Sequence, residues 1–589
     1  MAAINNLSVD VAVPQVPSQI RGARTTAARL HQVNDPSVLF EEYLHYAQIT
    51  RAQEKIENRS RPNEKRKLKS IIKSWYPKGN YGEITHGINV QASSGVAATI
   101  GDEKAGELIT SVPSTSASEA NGALTDKIYN HPDEVSDEEW RLLSRGVRTV
   151  TWSTCFYLIT SDIIGPFAVP SGWYIWRIFL KLDSDRYPLR DYGAAFFRVF
   201  GPTARHIINI FQSLYMILTV GSLILGMGQS IAQISQGTSR PVCYVVCLLI
   251  FTVIGFFLGQ VRTLQSFGCL ANFAVWMNIV SICISLGVVA NAPPNFAATE
   301  ASYGSNFKEG PIRTFANIPP DGYASGGDRF TGTVNGLNQA VYCFAGAILF
   351  FNFLSEMRHP WDFWKSLVFA QVFIYICYIF VGIFVYSFQG QYAFNPVQQG
   401  ISLYNYQTAA NICYIMTGFI AAALYGNIGI KIIYTNVLQE LLGAPPLTVR
   451  SGKLLWVIVV PAYWAFAFVL GASIPQFSYV SGLLGAVCGI TFTYSFPALL
   501  SLGFRIKKAA MLPEETFNES TRRYQRVDNG LKRWTRGFLA HWKVNTAELF
   551  YFLLTLVAAA LGTYSSVEGI IGAFGGNSDA TSWGCTAPV

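Results

Sequence analysis

The chain has 589 residues. Half of them are hydrophobic and only 14% are charged, against about 25% charged in an ordinary soluble domain. That shortfall excludes a water-soluble globular protein, and 40 Phe, 29 Tyr and 13 Trp exclude a chain disordered throughout. The formal net charge of +8 lies in tails and loops beside apolar runs, so lipid headgroups, not nucleic acid, are the expected partner.

Residues 1–148 are polar and without sustained period. They read as a disordered cytoplasmic tail carrying one short helix near 38–57, and the basic run RSRPNEKRKLKSIIK (59–73) as solvated tail near anionic headgroups. The first 30 residues contain no apolar core of the signal-peptide kind. Ten apolar segments follow, at 152–170, 206–232, 241–260, 268–290, 334–355, 364–388, 407–430, 454–472, 475–503 and 547–571. No charged residue occurs in the 65 positions between Lys365 and Lys431, nor in the 51 from Leu454 to Phe504. Uncharged runs of this length read as helices that each span about 30 Å of hydrocarbon. The fold class expected is an all-α polytopic membrane protein, with the membrane domain over 149–572 and a short tail at 573–589. The Pro- and Gly-rich stretch 291–333 has no period and reads as a long aqueous loop.

Nine of the ten cysteines (Cys155, Cys243, Cys247, Cys269, Cys283, Cys343, Cys377, Cys413 and Cys488) lie in apolar runs and read as small hydrophobes. Cys243 and Cys247 have no neighbouring His or second pair, so a zinc site is not expected.

Lys and Arg accumulate in cytoplasmic loops. The connection 504–545 holds ten of them, and 431–453, 356–365 and 261–267 alternate into the same compartment. The connections 389–406 and 473–474 and the C-terminal GAFGGNSDATSWGCTAPV hold none, which places the tail outside or in a lumen and the N-terminus in the cytoplasm. No His lies at the centre of a span, and no HExxH, GxSxG or phosphate-binding loop occurs in a fitting context. Neither an enzyme nor a cofactor or metal is expected.

One motif carries a functional signal. In TSDIIGPFAVP (160–170), Asp162 is the sole charge in the 28 residues Thr149–Trp176, and Gly165-Pro166 breaks the helix three residues on. An acid at membrane depth costs several kcal/mol and marks a pathway more often than a packing accident; a proline kink with Asp162 paired to another helix is the plainer reading. A second interruption, Ala345-Gly346-Ala347, falls in mid-span within 335–367, and paired interruptions point to a transporter's binding site. Glu356 and Arg358 at the cytoplasmic end read equally as a gate or as a solvated helix end. Tyr425, Gly426 and Asn427, late in an uncharged span, read as cavity-lining or as interhelical hydrogen-bonding groups.

From about 150 to 572 the chain resembles the amino acid/auxin permease family, in particular its fungal members resembling neutral amino acid permeases. The resemblance rests on TSDIIGPFAVP (160–170), SGWYIWRIFLKLDSDRYPLRDYG (171–193), FFNFLSEMRHPWDFWKSL (350–367) and ALYGNIGIKIIYTNVLQELLGAPPL (423–447). It implies a five-plus-five inverted repeat with one extra C-terminal helix, broken first and sixth helices, and amino acid symport, with protons a better expectation than sodium. It carries substrate contacts onto Ser161, Asp162, Ile163 and Gly165 in the first helix and Phe344, Ala345 and Gly346 in the sixth. Coupling or gating falls on Asp162, Glu356, Tyr425 and Asn427. The family implies the plasma membrane rather than the vacuole. The rival class is a membrane protein that does not transport: a nutrient receptor-like relative or a defective truncated product.

The topology fails at one place. Arg141, Arg145 and Arg148 precede the first span, and Arg177, Lys181, Arg186, Arg190, Arg198 and Arg205 follow it, so one crossing cannot leave both flanks inside. Only SGWYIW separates Pro170 from Arg177, which as helix spans about 9 Å. The expectation is that about 25 residues, most of a second helix, are absent at Pro170/Ser171. A skipped or mis-annotated exon accounts for this; a ten-span chain with a re-entrant first segment is the alternative.

Overall fold

The computed structural model describes residues 36, 38–60, 148, 150–161, 169–261, 264–303, 308–315, 329–439, 442–445, 447, 450–473, 477–515, 517–518, 523–575 and 583–585. Residues Met1–Arg51 and Val135–Val589 belong to one compact unit; Ala52–Glu134 form another, of which only 52–60 are described. The basic run 59–73 lies almost wholly outside the described residues, as does most of the C-terminal tail.

The molecule is helical apart from a two-residue pairing of Phe517–Asn518 with Arg523–Tyr524. In chain order the helices are α1 (Phe40–Ser60), α2 (Trp152–Ser161), α3 (Val169–Leu182), α4 (Tyr192–Phe200), α5 (Pro202–Gln236), α6 (Tyr244–Leu258), α7 (Leu264–Asn291), α8 (Phe296–Tyr303) and α9 (Arg329–Cys343). They continue with α10 (Phe350–Glu356), α11 (Phe363–Gln389), α12 (Tyr404–Ile433), α13 (Arg450–Ala472), α14 (Phe477–Leu484), α15 (Phe496–Ala509), α16 (Leu531–Ala540) and α17 (Trp542–Gly575). Eight stretches among the described residues are long and apolar enough to cross a membrane, and α6, with 15 residues, is a shorter apolar helix. Nine of the ten expected segments are thus present as continuous or interrupted helices, and the chain is a multi-pass membrane protein.

The spanning helices are apolar on the outside because their solvent is lipid. On α11 the residues Phe363, Ser366, Leu367, Ala370, Gln371 and Ile374 form a buried stripe at three- and four-residue spacing, while Ile376 and Ile383 on the other face are 62% and 64% exposed. At the centre α5 and α12 lie along one another, with α7 against α12 and α13 against α5. The α5–α13 crossing is backbone to backbone: a Cβ on Gly221 would sit 2.9 Å from the Ala467 carbonyl oxygen, and one on Gly471 would meet the Gly221 carbonyl.

The first apolar segment does not cross. α2 has 10 residues and α3 has 14, about 15 and 21 Å against a hydrocarbon core of about 30 Å. Their outer ends come back together: Arg148, just before α2, pairs with Asp183, just after α3, at 2.9 Å. The base of α2 is also fixed to the ends of later helices. Val150 N–H donates to the Glu356 carbonyl at 3.0 Å, Arg358 N–H donates to the Val150 carbonyl at 2.9 Å, and Ser366 Oγ donates to the Trp152 carbonyl. On α3, Trp176 Nε1 donates to the Pro360 carbonyl at 2.8 Å. The arms therefore form a re-entrant hairpin with both flanks on one face, which removes the conflict in the charge count.

Two expectations are corrected. Cys243 is not merely a small hydrophobe: it is disulfide-bonded to Cys585, 342 residues away. The pairing was invisible in the spacing because the tail folds back onto the start of α6, where Tyr244 N–H donates to the Cys585 carbonyl at 3.2 Å and Trp583 packs edge-on against Phe468. The loop 291–333 is not wholly irregular either, since it contains α8, whose Phe296 packs against Tyr392.

Candidate functional site

The interruption in the sixth segment is built by a short run of small residues. α9 ends at Cys343, and the chain resumes as a tight turn at Ala347–Leu349 that runs into α10. Phe344 N–H still donates to the Ala340 and Val341 carbonyls at 3.2 and 3.1 Å, and Ala345 N–H to the Tyr342 carbonyl at 3.3 Å. The amides of Gly346, Ala347 and Ile348 then have no backbone acceptor among the described residues, and the Cys343 and Ala345 carbonyls accept no backbone amide there. Ala345, Gly346, Ala347 and Ile348 are buried, so bulk water does not satisfy their groups, whereas Cys343 is exposed. Buried orphan backbone groups are rare and call for a partner.

The wall opposite the break is also irregular. Between α14 and α15 the helix widens into two π-type turns, Gly485–Gly489 and Thr491–Ser495, of a kind frequent at functional sites. Gly489 lies against Ala345, where a Cβ would approach Ala345 Cβ to 3.0 Å, and Gly485 lies against the Asn338 carbonyl. Tyr342 faces Ser222 of α5 at 3.4 Å. Phe344 packs against Tyr378 of α11, ring centroids 5.5 Å apart.

Polar contacts to the last helix hold the outer half, α9. Asn338 Nδ2 donates to the Gly562 carbonyl at 2.9 Å and to Ser566 Oγ at 3.0 Å, and Ser565 Oγ donates to the Thr331 carbonyl at 2.7 Å. Beneath the break, toward the basic loops, lies an aromatic floor. Tyr192 of α4, fully buried, donates its hydroxyl to the Phe492 carbonyl at 3.0 Å, which one of the widened turns exposes. Its ring packs edge-on against Phe351 and Phe492, and Tyr215 stacks on Phe492.

Ser161 closes α2, while Asp162, Ile163 and Gly165 lie outside the described residues. The hairpin nonetheless reaches the level of the sixth-segment break, since Gly172 packs against the Phe350 ring and Leu367. Phe344, Ala345 and Gly346 form the break itself. Glu356 ends α10 and lies within electrostatic range of Lys431 on α12, which in turn feels Arg190. Tyr425 is buried in the core beside Asn427, whose amide donates to the Val261 carbonyl in the α6–α7 connection.

Two groups were missed in the sequence. Gln371 lies on the buried stripe of α11 that also carries Ser366, the residue bonded to α2. It is 1% exposed, and neither end of its amide has a partner among the described residues. Gln212 on α5 is in the same state, one turn from Tyr215 in the aromatic floor. The available signal was a lone amide in an apolar span, which by itself does not separate packing from binding.

Comparison with known proteins meets this geometry from the other side. A protein from Gibberella moniliformis (strain M3125 / FGSC 7600) named a transmembrane transporter is 23% identical over 278 residues, 47% of this chain and 55% of that protein. A protein of the same name from Fusarium pseudograminearum (strain CS3096) is 24% identical over 156 residues, 26% of this chain and 32% of that protein. The chain thus spans about half and about a third of the length of these curated relatives. The family model described as transmembrane amino acid transporter protein matches residues 158–517, more than half the chain. That match takes in the end of α2, both arms of the interrupted sixth segment and the widened turns facing it, and the chain belongs to the family of transmembrane amino acid transporter proteins.

Proposed function

We propose that this protein carries neutral amino acids across the plasma membrane as a proton-coupled symporter. The observation that carries the proposal is the break at Phe344–Gly346, with unbonded amides and carbonyls a few residues apart and a helix widened opposite them. A zwitterion needs donors for its carboxylate and acceptors for its ammonium. The Gly346, Ala347 and Ile348 amides serve the first; the Cys343 and Ala345 carbonyls, together with the carboxylate of Asp162, serve the second. Phe344 and the apolar lining accept an uncharged side chain, and a buried charged one would be costly there. Ser161, Ile163 and Gly165, which the family resemblance carries as substrate contacts, complete the proposed set. Asp162 couples proton and substrate, because a bound cation and a proton compete for its carboxylate. Glu356 with Lys431 gates the cytoplasmic side, and Tyr425 and Asn427 hold α12 in register with it.

Packing supports a five-plus-five inverted repeat. The first unit is α2/α3, α5, α6 and α7, the second is α9/α10, α11, α12, α13 and α14/α15, and α17 is the extra helix. α2 packs on α7 as α9 packs on α14, and the paired third members α5 and α12 form the centre. The N-terminus then lies in the cytoplasm, and the Cys243–Cys585 disulfide lies on the opposite, oxidising side. The reading that competes is a receptor-like or defective membrane protein, favoured by a second helix too short to cross. Uptake of labelled neutral amino acids into liposomes holding the purified chain separates them: saturable uptake supports transport, and background uptake by correctly inserted protein supports the rival.

A further inference from the structure

The docked half of α1, Phe40–Arg51, grips two cytoplasmic loops with buried charges. Glu41, 3% exposed, accepts from Arg526 at 2.6 Å and from Arg533 at 2.9 Å. Glu42 accepts from the Tyr187 hydroxyl at 2.6 Å, and Thr50 Oγ1 accepts from Asp185 N–H at 3.2 Å. Arg51 pairs with Asp183 at 2.9 Å. Phe40 packs edge-on against Phe504 at the end of α15, and Tyr43 packs on Tyr187 beneath the Arg198 guanidinium.

Two of these contacts tie α1 to moving parts of the proposed pathway. Asp183 is shared between Arg51 and Arg148, so one carboxylate clamps α1 and the base of α2 together. The gripped loop, 183–191, leads directly into α4, whose Tyr192 fills the aromatic floor under the sixth-segment break. A path to the cytoplasm requires the α2 base and Tyr192 to shift, and neither shifts freely while α1 is seated. A pocket of about 100 Å³ lined by Glu41, Lys507, Arg526, Arg533 and Trp534 lies beside this contact. Its arginines are already neutralised by Glu41, Glu515 and Asp528, so it is not a vacant anion site. The 87 residues 61–147 join α1 to the rest of the chain, so the helix is a covalently attached ligand of its own dock, and its charged contacts weaken with salt.

We propose that Phe40–Arg51 is an autoinhibitory latch that holds the cytoplasmic side of the transporter closed. The inference rests on the transport reading for its consequence, but its test does not. The variant is the full chain in liposomes carrying Glu41→Gln and Arg51→Gln together, which spares the Arg533–Glu515 and Arg148–Asp183 pairs. Three readouts are followed: hydrogen exchange over 40–51, N-ethylmaleimide labelling of the buried Cys155 on α2 by peptide mass spectrometry, and the initial rate of neutral amino acid uptake. The expected results are exchange faster by about tenfold, Cys155 labelling faster by about fivefold, and maximal uptake about threefold higher at unchanged KM. Arg51→Gln alone, which leaves the Glu41 end seated, gives a smaller rise in all three. Faster exchange with Cys155 labelling and uptake unchanged overturns the latch, as does exchange that stays at the wild-type rate. A rise in Cys155 labelling with no uptake by either protein upholds the latch and rejects the transport reading.

Discussion

α2 and α3, like α9 and α10, are two short helices close together in the chain, yet only the second pair continues across the membrane. The stretch Phe330–Glu356 has 27 residues, enough to cross with a three-residue gap. The arms of the first have 10 and 14 residues and return to one face, where Asp183 joins their ends. The difference shows that where the ends are tied, not the break or the number of residues, decides topology: Trp152–Leu182 is no shorter than Phe330–Glu356, but its two ends are held together. Partners differ as well: α9 is buttressed by Asn338 contacts to α17, whereas the hairpin is held mainly at its base.

The comparison is broken most severely at Asp162. Asp162→Asn is expected to lower uptake by about 100-fold while leaving insertion unchanged, because the proton and the substrate ammonium lose their shared carboxylate. A wild-type rate and pH profile in that variant would remove the hairpin from the mechanism. At the second break, Gly485→Val drives a side chain into the Asn338 carbonyl. Overpacking of this kind costs about 1–3 kcal/mol, so thermal stability falls and uptake drops about tenfold. An unaltered melting profile would mean that α14 and α9 are not in contact there.

Gln371→Leu sharpens the comparison by opposite signs in two assays. An orphan buried amide costs about 1–3 kcal/mol, so its removal raises thermal stability, while KM for the substrate rises about fivefold if the amide serves the site. Higher stability with unchanged KM assigns Gln371 to packing alone. The smallest effect concerns pH in the loop that receives α1. Hydrogen bonds from Arg533, against the opposing effect of burial, hold the Glu515 carboxyl at about 2. Its folded-state pKa is depressed, so its stabilisation is complete above the ordinary carboxylate range and is lost only as pH falls toward about 2. Protection factors over 523–536, with the intrinsic pH dependence of amide exchange divided out, are therefore expected to stay constant from pH 8 to about 5; a loss of protection already at pH 5 would show that Glu515 is not bonded to Arg533.

What could be read from the sequence follows from the range of each interaction. Hydrophobic length fixes a span locally, so the segments from 206 onward, the interruption at Ala345–Ala347 and the basic loops were legible without partners. The conflict near residue 175 was legible for the same reason, as a count of charges against a count of residues, and the hairpin resolves it. The Cys243–Cys585 pair, the docking of Glu41 on Arg533 and the isolation of Gln371 were not legible. Each depends on residues from distant parts of the chain meeting in space, and neither composition nor period carries that information. The role of Asp162 stands on its isolation in the sequence, where no neighbouring charge competes with it.

The central claim is that a chain whose first segment only dips into the membrane still moves amino acids across it. The direct measurement is uptake of labelled neutral amino acids by the purified 589-residue protein in liposomes under an inward proton gradient. The account predicts saturable uptake that collapses when the gradient is dissipated. Uptake indistinguishable from protein-free liposomes, with insertion verified by the protection of Cys155, would contradict it.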